Sequence, residues 1–173
     1  MTPAQDLNKH SVEAPNLPYL ENVINTSKSL LLETHHVVSM LFMLVDAQLN
    51  IVGMPPSVME NKDKLAGAIR SIVSQVKPSS LCLLNDSYYY EPKEGESLDD
   101  IVTDNGVINK PVSEKSEALI YTVTEFENEA PTNRYMGVMK YRRDHNDVPN
   151  QIDDITWFKN GQNGFDSTGR FVI

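Results

Sequence analysis

Apolar residues recur at helical spacing in two segments of the chain. The first begins at Tyr19 and continues to Leu31, and its apolar side chains follow the i, i+3, i+4, i+7 rule of a helix with one buried stripe. Asn16 and Pro18 are the two candidate start positions. The pattern predicts a helix that packs one face against the rest of the domain.

The second helical stripe covers residues 65–76, between proline breaks at Pro55-Pro56 and Pro78. Two residues before the stripe are candidate N-caps. Ser57 has capping-box spacing to a glutamate three residues later, and Asn61 is the alternative. The pattern predicts a second helix that ends at Lys77-Pro78.

Runs of apolar and β-branched residues predict the strands. Residues 37–45 have almost no polar alternation, which is typical of a strand covered on both faces, and a turn at 46–48 leads into the short apolar run 49–52. These two runs form a predicted hairpin. A further buried strand covers residues 81–84 and continues through 86–90.

The second half of the chain predicts another antiparallel hairpin. Residues 118–126 and 135–141 are rich in β-branched and aromatic side chains and are joined by the polar segment 128–133. Residues 155–173 combine Trp157 and other apolar residues with several turn-forming Asn-Gly pairs. This last segment predicts one or two short strands that fold back onto a sheet edge.

These elements predict an α+β fold with a mainly antiparallel sheet of five to six strands and two main helices, in the order α-β-β-α-β-β-β-β. Residues 1–18 have no hydrophobic period and are predicted to form a flexible N-terminal tail. Residues 19–173 are predicted to form a single domain, which suits a chain of 173 residues, with a long acidic loop at about 91–111.

The net charge of −9 is concentrated in the middle of the chain. Residues 1–80 have 7 acidic and 6 basic side chains, residues 81–130 have 12 and 3, and residues 131–173 have 5 and 6. A negative field repels nucleic-acid phosphates and attracts basic partners, although such a block also serves simply as a solvated, solubilising surface. In the predicted hairpin, Glu117 lies near Arg142 and Arg143, and Glu125 lies near Arg134, so cross-strand pairs neutralise part of the block.

The first functional hypothesis is a non-enzymatic acidic protein-binding module for a basic, nucleic-acid-handling protein. Exposed aromatic rings beside carboxylates suit a protein interface. The candidate partner-binding residues are Tyr88, Tyr90, Glu91, Glu94, Glu96, Asp99 and Asp100.

Two alternatives remain open. Asp86 follows the buried 81–84 run and precedes three tyrosines, so it is the candidate residue of a ligand cleft near Tyr88 and Tyr90, in a small-molecule-binding protein or a hydrolase. The other alternative is a structural component of a virion, which would self-assemble stably. The oligomeric state is left open, a homodimer included.

Motifs of common enzymes are missing from the sequence. It has no phosphate-binding glycine loop, no dinucleotide fingerprint and no nucleophile elbow, so no catalytic residue and no cofactor is predicted. The adjacent His35 and His36 would point to opposite faces of a strand, and Cys82 is the only cysteine, so no metal site is predicted. No secretory signal and no membrane span are evident, so the protein is expected to be cytoplasmic, without direct nucleic-acid or membrane contacts.

Residues 36–126 resemble, in layout, a class of small phage and prophage proteins of no known function. The resemblance rests on the apolar strand 37–45 with its turn, the helix KDKLAGAIR at 62–70, the strand 81–90, and PVSE at 111–114 before the strand ALIY. It implies an origin in a mobile element. The order of elements is also similar to roadblock or profilin-like domains, which implies a role in protein association.

Overall fold

The two predicted helices are present in the computed structural model, which describes residues 11–90, 93–96 and 109–160. Helix α1 is Leu20–Thr34, and it ends at His35, whose positive φ of 67° turns the chain out of the helix. Helix α2 is a single turn, Pro56–Met59, and helix α3 is Lys62–Val76. A 3₁₀ turn occupies Val112–Glu114.

Asn61 is the N-cap of α3. Its side-chain oxygen accepts hydrogen bonds from the backbone N–H groups of Asp63 and Lys64 at 3.0 and 3.1 Å. The other candidate cap, Ser57, instead lies inside α2. A cap that satisfies two otherwise unpaired donors explains why α3 begins here and not directly after the prolines.

Seven antiparallel strands form one sheet, which confirms the predicted α+β class. In chain order the strands are β1 Met40–Val45, β2 Gln48–Gly53, β3 Ser80–Tyr89, β4 Ser116–Glu127, β5 Ala130–Arg143, β6 Pro149–Ile152 and β7 Thr156–Lys159. Across the sheet the order is β2-β1-β3-β4-β5-β6, and β7 also pairs with β5. Both predicted hairpins, β1–β2 and β4–β5, are present.

The two faces of the sheet are covered by different helices. On one face, Leu20, Val23 and Leu31 of α1 pack in one cluster with Phe42 and Tyr121 of the sheet. On the opposite face, side chains of α3 form a second cluster with residues of β1 and β3: Leu65, Ile69, Val73, Leu41, Met43, Leu81 and Leu83. Alternation along β1 therefore supplies both cores, as the unbroken apolar run 37–45 predicted.

Two buried hydroxyl pairs join α1 and the residue before it to the sheet. The Tyr19 hydroxyl lies 2.8 Å from the Ser80 hydroxyl, and Ser27 in α1 is hydrogen-bonded to the Tyr121 hydroxyl. Burial raises the pKa of Tyr19 to about 12 and raises that of Tyr121 as well. Both phenols are therefore protonated and able to donate at neutral pH.

Strand β5 approaches a large aromatic side chain closely at Gly137. A Cβ atom at that position would lie 2.8 Å from Ile155 Cδ1 and 2.8 Å from two ring carbons of Trp157. The Trp157 ring is 4% exposed, and its centroid lies 6.2 Å from that of Tyr121. Glycine is thus required here by space.

The described residues before α1 also contact the sheet. Val12 forms an isolated antiparallel bridge with Trp157, and its N–H donates to the Trp157 carbonyl at 2.8 Å. Residues 1–10 lie outside the described part of the chain, and the predicted division into a tail and one domain stays a prediction. Among the described helices, none is long and apolar enough to cross a membrane.

Candidate functional site: a polar cleft at the ends of strands β3 to β6

Arg143, the last residue of β5, is the centre of a polar network at one end of the sheet. Its Nε donates to both carboxylate oxygens of Glu117, at 3.1 and 2.8 Å. Its terminal nitrogens donate to the carbonyl oxygens of Asp147 at 3.1 Å and His35 at 2.8 Å. With 11% of its side chain exposed, Arg143 joins β4, the β5–β6 turn and the end of α1.

Asp86 of β3 extends this network towards the core. One carboxylate oxygen accepts a hydrogen bond from the backbone N–H of Val37 at 3.0 Å, and the other accepts from the Tyr141 hydroxyl at 2.7 Å. That hydroxyl in turn lies 3.3 Å from an Arg143 nitrogen. Burial, followed by the hydrogen bond to the Asp86 carboxylate, raises the pKa of Tyr141, so the phenol is a donor at neutral pH.

A cleft of about 720 Å³ opens over this network. Its size is that of a small-molecule site, but its walls are mostly charged. Four cationic and three carboxylate side chains line it, with histidine, serine, valine and two tyrosines. The lining residues are His36, Tyr88, Val112, Lys115, Ser116, Glu117, Lys140, Tyr141, Arg142, Arg143, Asp147 and Asp153.

Two tyrosines of β3 lie beside lysines, and one of them, Tyr88, lines the cleft. The Nζ atom of Lys115 is 5.1 Å from the centroid of the Tyr88 ring, and that of Lys140 is 5.4 Å from the Tyr89 ring. Tyr88 is 44% exposed. The cleft therefore presents an accessible aromatic ring next to positive charge.

A second polar cluster lies after the end of β3, around Glu96. One carboxylate oxygen accepts from the Tyr90 hydroxyl and from the backbone N–H of Lys93 at 2.8 Å, and the other lies 2.6 Å from Lys110 Nζ. The hydrogen bonds from Lys110, Tyr90 and the Lys93 N–H lower the pKa of Glu96 to about 2. The Glu96 carboxylate is therefore ionised at neutral pH, and its negative charge is paired with Lys110 of the same chain.

The residues proposed as a partner-binding surface differ in how exposed they are in the structure. Tyr88 and Glu94 are exposed, whereas Tyr90 is 8% exposed and holds Glu96. Glu91, Asp99 and Asp100 lie outside the described residues. The proposal that these seven residues bind a partner stays a prediction.

Much of the described acidic block is in contact with neighbouring groups of the protein itself. Of the eight described carboxylates between residues 81 and 130, five contact such neighbours: Asp86 with Tyr141, Glu96 with Lys110, Glu117 with Arg143, Glu125 with Asn133 and Glu129 with Lys77. The remaining three, Glu94, Glu114 and Glu127, are exposed. The predicted pairing of Glu117 with the arginines at the end of β5 is confirmed for Arg143.

The cleft also contains Lys115 and Asp153, which the sequence did not single out. His36 also lines it, although the sequence considered this residue only as a metal ligand. Arg143 and His35 are 108 positions apart, so no local pattern indicates their contact. Asp86 was singled out as a candidate because a side chain at the end of a strand can project into a cleft; the structure places it within β3, hydrogen-bonded to Tyr141, which lines the cleft.

Metal binding has no support in the part of the chain that the structure describes. No group of three or more His, Cys, Asp or Glu side chains is arranged there to hold an ion. Burial raises the pKa of the Cys82 thiol to about 12, which makes it an unreactive core residue.

The chain matches no protein-family model, no curated protein and no solved structure. The cleft and the surfaces around it are therefore the features from which we infer a function.

Proposed function

We propose that the protein is a non-enzymatic binding protein, and that its cleft takes a small polar ligand with at least one anionic group. The observation that supports this most is the lining of the cleft. Lys115, Lys140, Arg142 and Arg143 all line it and outnumber its three carboxylates by one, although the chain as a whole has a net charge of −9. A local excess of one sign of charge raises the local concentration of ligands of the opposite charge.

The charge balance favours a small anion over a polyanion. Glu117 and Asp147 both lie within ion-pair distance of Arg143, at 2.8 and 3.8 Å, and the four cationic and three carboxylate side chains of the cleft leave a formal excess of one positive charge. Around the cleft the chain is acidic, and this wider field opposes an extended nucleic acid. A compact carboxylate or phosphate compound would meet mainly the local positive charge.

The geometry favours binding over hydrolysis. A serine nucleophile needs a base within hydrogen-bond reach. Ser116 and His36 both line the cleft, but within the described residues no hydrogen bond joins them, and His36 Nδ1 instead lies 3.4 Å from an Arg143 nitrogen. Asp86 is occupied by the Val37 N–H and the Tyr141 hydroxyl, so it holds in place Tyr141, which lines the cleft.

Ligand-dependent stabilisation tests the proposal. Inorganic phosphate and citrate are the probes, and thermal unfolding is followed at constant ionic strength. A ligand at a hundredfold excess over its Kd raises the free energy of unfolding by about 2.7 kcal/mol. We expect at least one probe to raise the melting temperature in a saturable way, and the double variant Arg142→Gln, Lys115→Gln to lose most of that shift.

Lys77→Gln is the matched control, because Lys77 is 64% exposed and contacts Glu129 at the other end of the sheet. It should keep the full shift. An equal loss in the control and the double variant would show a nonspecific salt effect, and no saturable shift with either probe would contradict the proposal.

A basic protein partner at the acidic block is the second candidate. It is favoured by three exposed carboxylates, those of Glu94, Glu114 and Glu127. Poly-lysine is a suitable probe. We expect binding that weakens steeply between low and high salt and is reduced by changing the three glutamates to serine, whereas salt-independent binding would contradict this candidate.

A further inference from the structure

One tyrosine ring that lines the cleft is open to solvent. All seven tyrosines of the chain lie within the described residues, and Tyr88, at 44%, is the only one of them that is exposed. Four others have hydroxyls that are hydrogen-bonded within the chain: Tyr19 to Ser80, Tyr90 to Glu96, Tyr121 to Ser27 and Tyr141 to Asp86. Tyr88 is therefore the tyrosine whose ring a ligand in the cleft can reach.

Strand register places Tyr88 on the same face of the sheet as the polar network. Tyr88 lies directly opposite Glu117, and Glu117 lies directly opposite Tyr141. Directly opposed residues of antiparallel strands project to the same face, and neighbouring strands are about 4.8 Å apart. Arg143, two positions after Tyr141, lies on this face as well and donates to Glu117. The exposed ring is thus one strand away from the Glu117–Arg143 ion pair.

The 3₁₀ turn before β4 brings an apolar side chain and a cation to this ring. The Lys115 N–H donates to the Val112 carbonyl at 3.0 Å, so the two residues are one turn apart. Both line the cleft, and Val112 is 62% exposed. The Nζ atom of Lys115 lies 5.1 Å from the centroid of the Tyr88 ring. Among the described residues that line the cleft, Tyr88 and Val112 are the exposed apolar side chains, and a lysine lies beside them.

We propose that the ligand of the cleft is an aromatic anion, in which a flat aromatic ring carries a phosphate or carboxylate group. This inference rests on the proposed function, binding of a small anionic ligand, and describes the rest of that ligand. The ring contacts Tyr88 and Val112, and the anionic group points towards Lys115. Aromatic rings attract each other in offset or edge-to-face arrangements, and a lysine attracts the anion at the same place.

The size of the cleft favours a ligand larger than a bare anion. Ligand pockets have volumes of about 300–1,000 Å³ and usually combine apolar or aromatic walls with a few polar groups that fix the orientation of the ligand. The cleft, at about 720 Å³, is within this range. A phosphate ion alone would meet the cations and leave Tyr88 and Val112 in water. A ring attached to the anion covers both side chains and removes apolar surface from water.

The test compares anions that differ in the ring. Isothermal titration calorimetry of the full-length chain at constant ionic strength measures Kd for phenyl phosphate against methyl phosphate, and for benzoate against acetate. In at least one pair we expect the aromatic member to bind about tenfold more tightly, through ring contact and apolar burial together. Cyclohexyl phosphate, which is apolar but not aromatic, should bind more weakly than phenyl phosphate.

Variants of Tyr88 test whether its ring is responsible. Tyr88→Ser should lose most of the preference for the aromatic member, while its affinity for methyl phosphate stays the same, because no charge is changed. Tyr88→Phe is the matched control and should keep the preference, since it retains the ring. Tyr88 is exposed, so both variants should fold like the unchanged chain by circular dichroism.

The outcomes separate this inference from the proposed function. Anions that bind in a saturable way, but with equal affinity in both pairs, would overturn the inference and leave the proposed function standing. A preference that survives Tyr88→Ser would overturn it too, and so would cyclohexyl phosphate binding as tightly as phenyl phosphate, because the site would then select apolar bulk and not an aromatic ring. If none of these anions binds in a saturable way, both proposals are wrong.

Discussion

The two lateral edges of the sheet are built in opposite ways. β2 is a straight, uncharged strand of six residues that pairs with β1 without interruption. On the other side, β5 is bordered by two strands of four residues each, β6 and β7, and β6 begins with Pro149 after a register shift between Arg142 and Arg143. The turn before β6 contains Asp144 and Asp147.

This difference indicates a division of roles between backbone and side chains. At the β5–β6 edge, a proline, a bulge and charged residues interrupt the strand, and the side chains there build the cleft. At the β2 edge, the side chains are uncharged, with the exposed apolar Leu49, Ile51 and Val52 beside the polar Gln48 and Asn50, and the backbone pairs with β1 without interruption. If this division holds, stability should depend on particular side chains at the β5–β6 edge and on few side chains in β2. The variants below test this, and the last one tests a polar cluster after the end of β3.

The largest effect is expected from Arg143→Met. The change removes the partner of Glu117 and the donors to two carbonyl groups, so we expect the free energy of unfolding to fall by about 2–3 kcal/mol, because partly buried acceptors are left without their hydrogen bonds. Urea denaturation at pH 7 measures it. Arg142→Met is the control, since Arg142 is exposed and contacts Gln151 at 3.4 Å. Equal effects of the two variants would contradict a central role for Arg143.

The second-largest loss of stability is expected from a glycine substitution in β5, which is compared with a glycine substitution in β2. Gly137→Ala places a methyl group 2.8 Å from Ile155 and Trp157, so we expect a loss of about 1–3 kcal/mol from overpacking. Gly53→Ala in β2 meets nothing within 4 Å and should leave stability unchanged or slightly higher. Thermal unfolding of both variants measures the difference. An unchanged melting temperature in Gly137→Ala would contradict this expectation and show that Trp157 moves easily.

The smallest effect concerns pH. The pKa of Glu96 is about 2 in the folded protein against an ordinary value of 4.5, so the stabilisation it gives is present above pH 4.5 and lost as the pH falls towards 2. Glu96→Gln should therefore lose less stability than the unchanged chain between pH 5 and pH 2.5. Glu94→Gln, at an exposed neighbouring position, should follow the unchanged chain. If both variants behave alike, the Lys110 contact does not act on stability.

Much of the fold was predictable because the spacing of apolar residues along the chain indicates which side chains are buried. The stripe from Leu65 to Val76 and the apolar run 37–45 each correspond to an element in the structure, and Asn61 caps α3 as one of two predicted candidates. β6 was not predicted as a separate strand. Pro149, Asn150 and Gln151 lack an apolar pattern, and their strand conformation depends on pairing with β5.

The candidate site was less predictable, because contacts between distant residues create it. The sequence pointed to Asp86 and Tyr88, which border the cleft network or line the cleft, but it gave no indication that Arg143 lies at its centre. Lys115 and Arg142 are ordinary surface residues by pattern, and only strand register brings them to one end of the sheet. Summed charge also does not show which carboxylates are paired: five of the eight described ones between residues 81 and 130 contact neighbouring groups of the chain.

The hydroxyl pairs beneath α1 restrict how this helix can sit on the sheet. Turning α1 by a single residue would rotate its side chains by about 100°, and the Ser27 hydroxyl would leave the Tyr121 phenol without a partner in an apolar surrounding. Apolar contacts alone tolerate such a rotation far better than a paired polar group does. One rotational setting of the helix is thereby selected, and with it the position of the His35 carbonyl that receives Arg143.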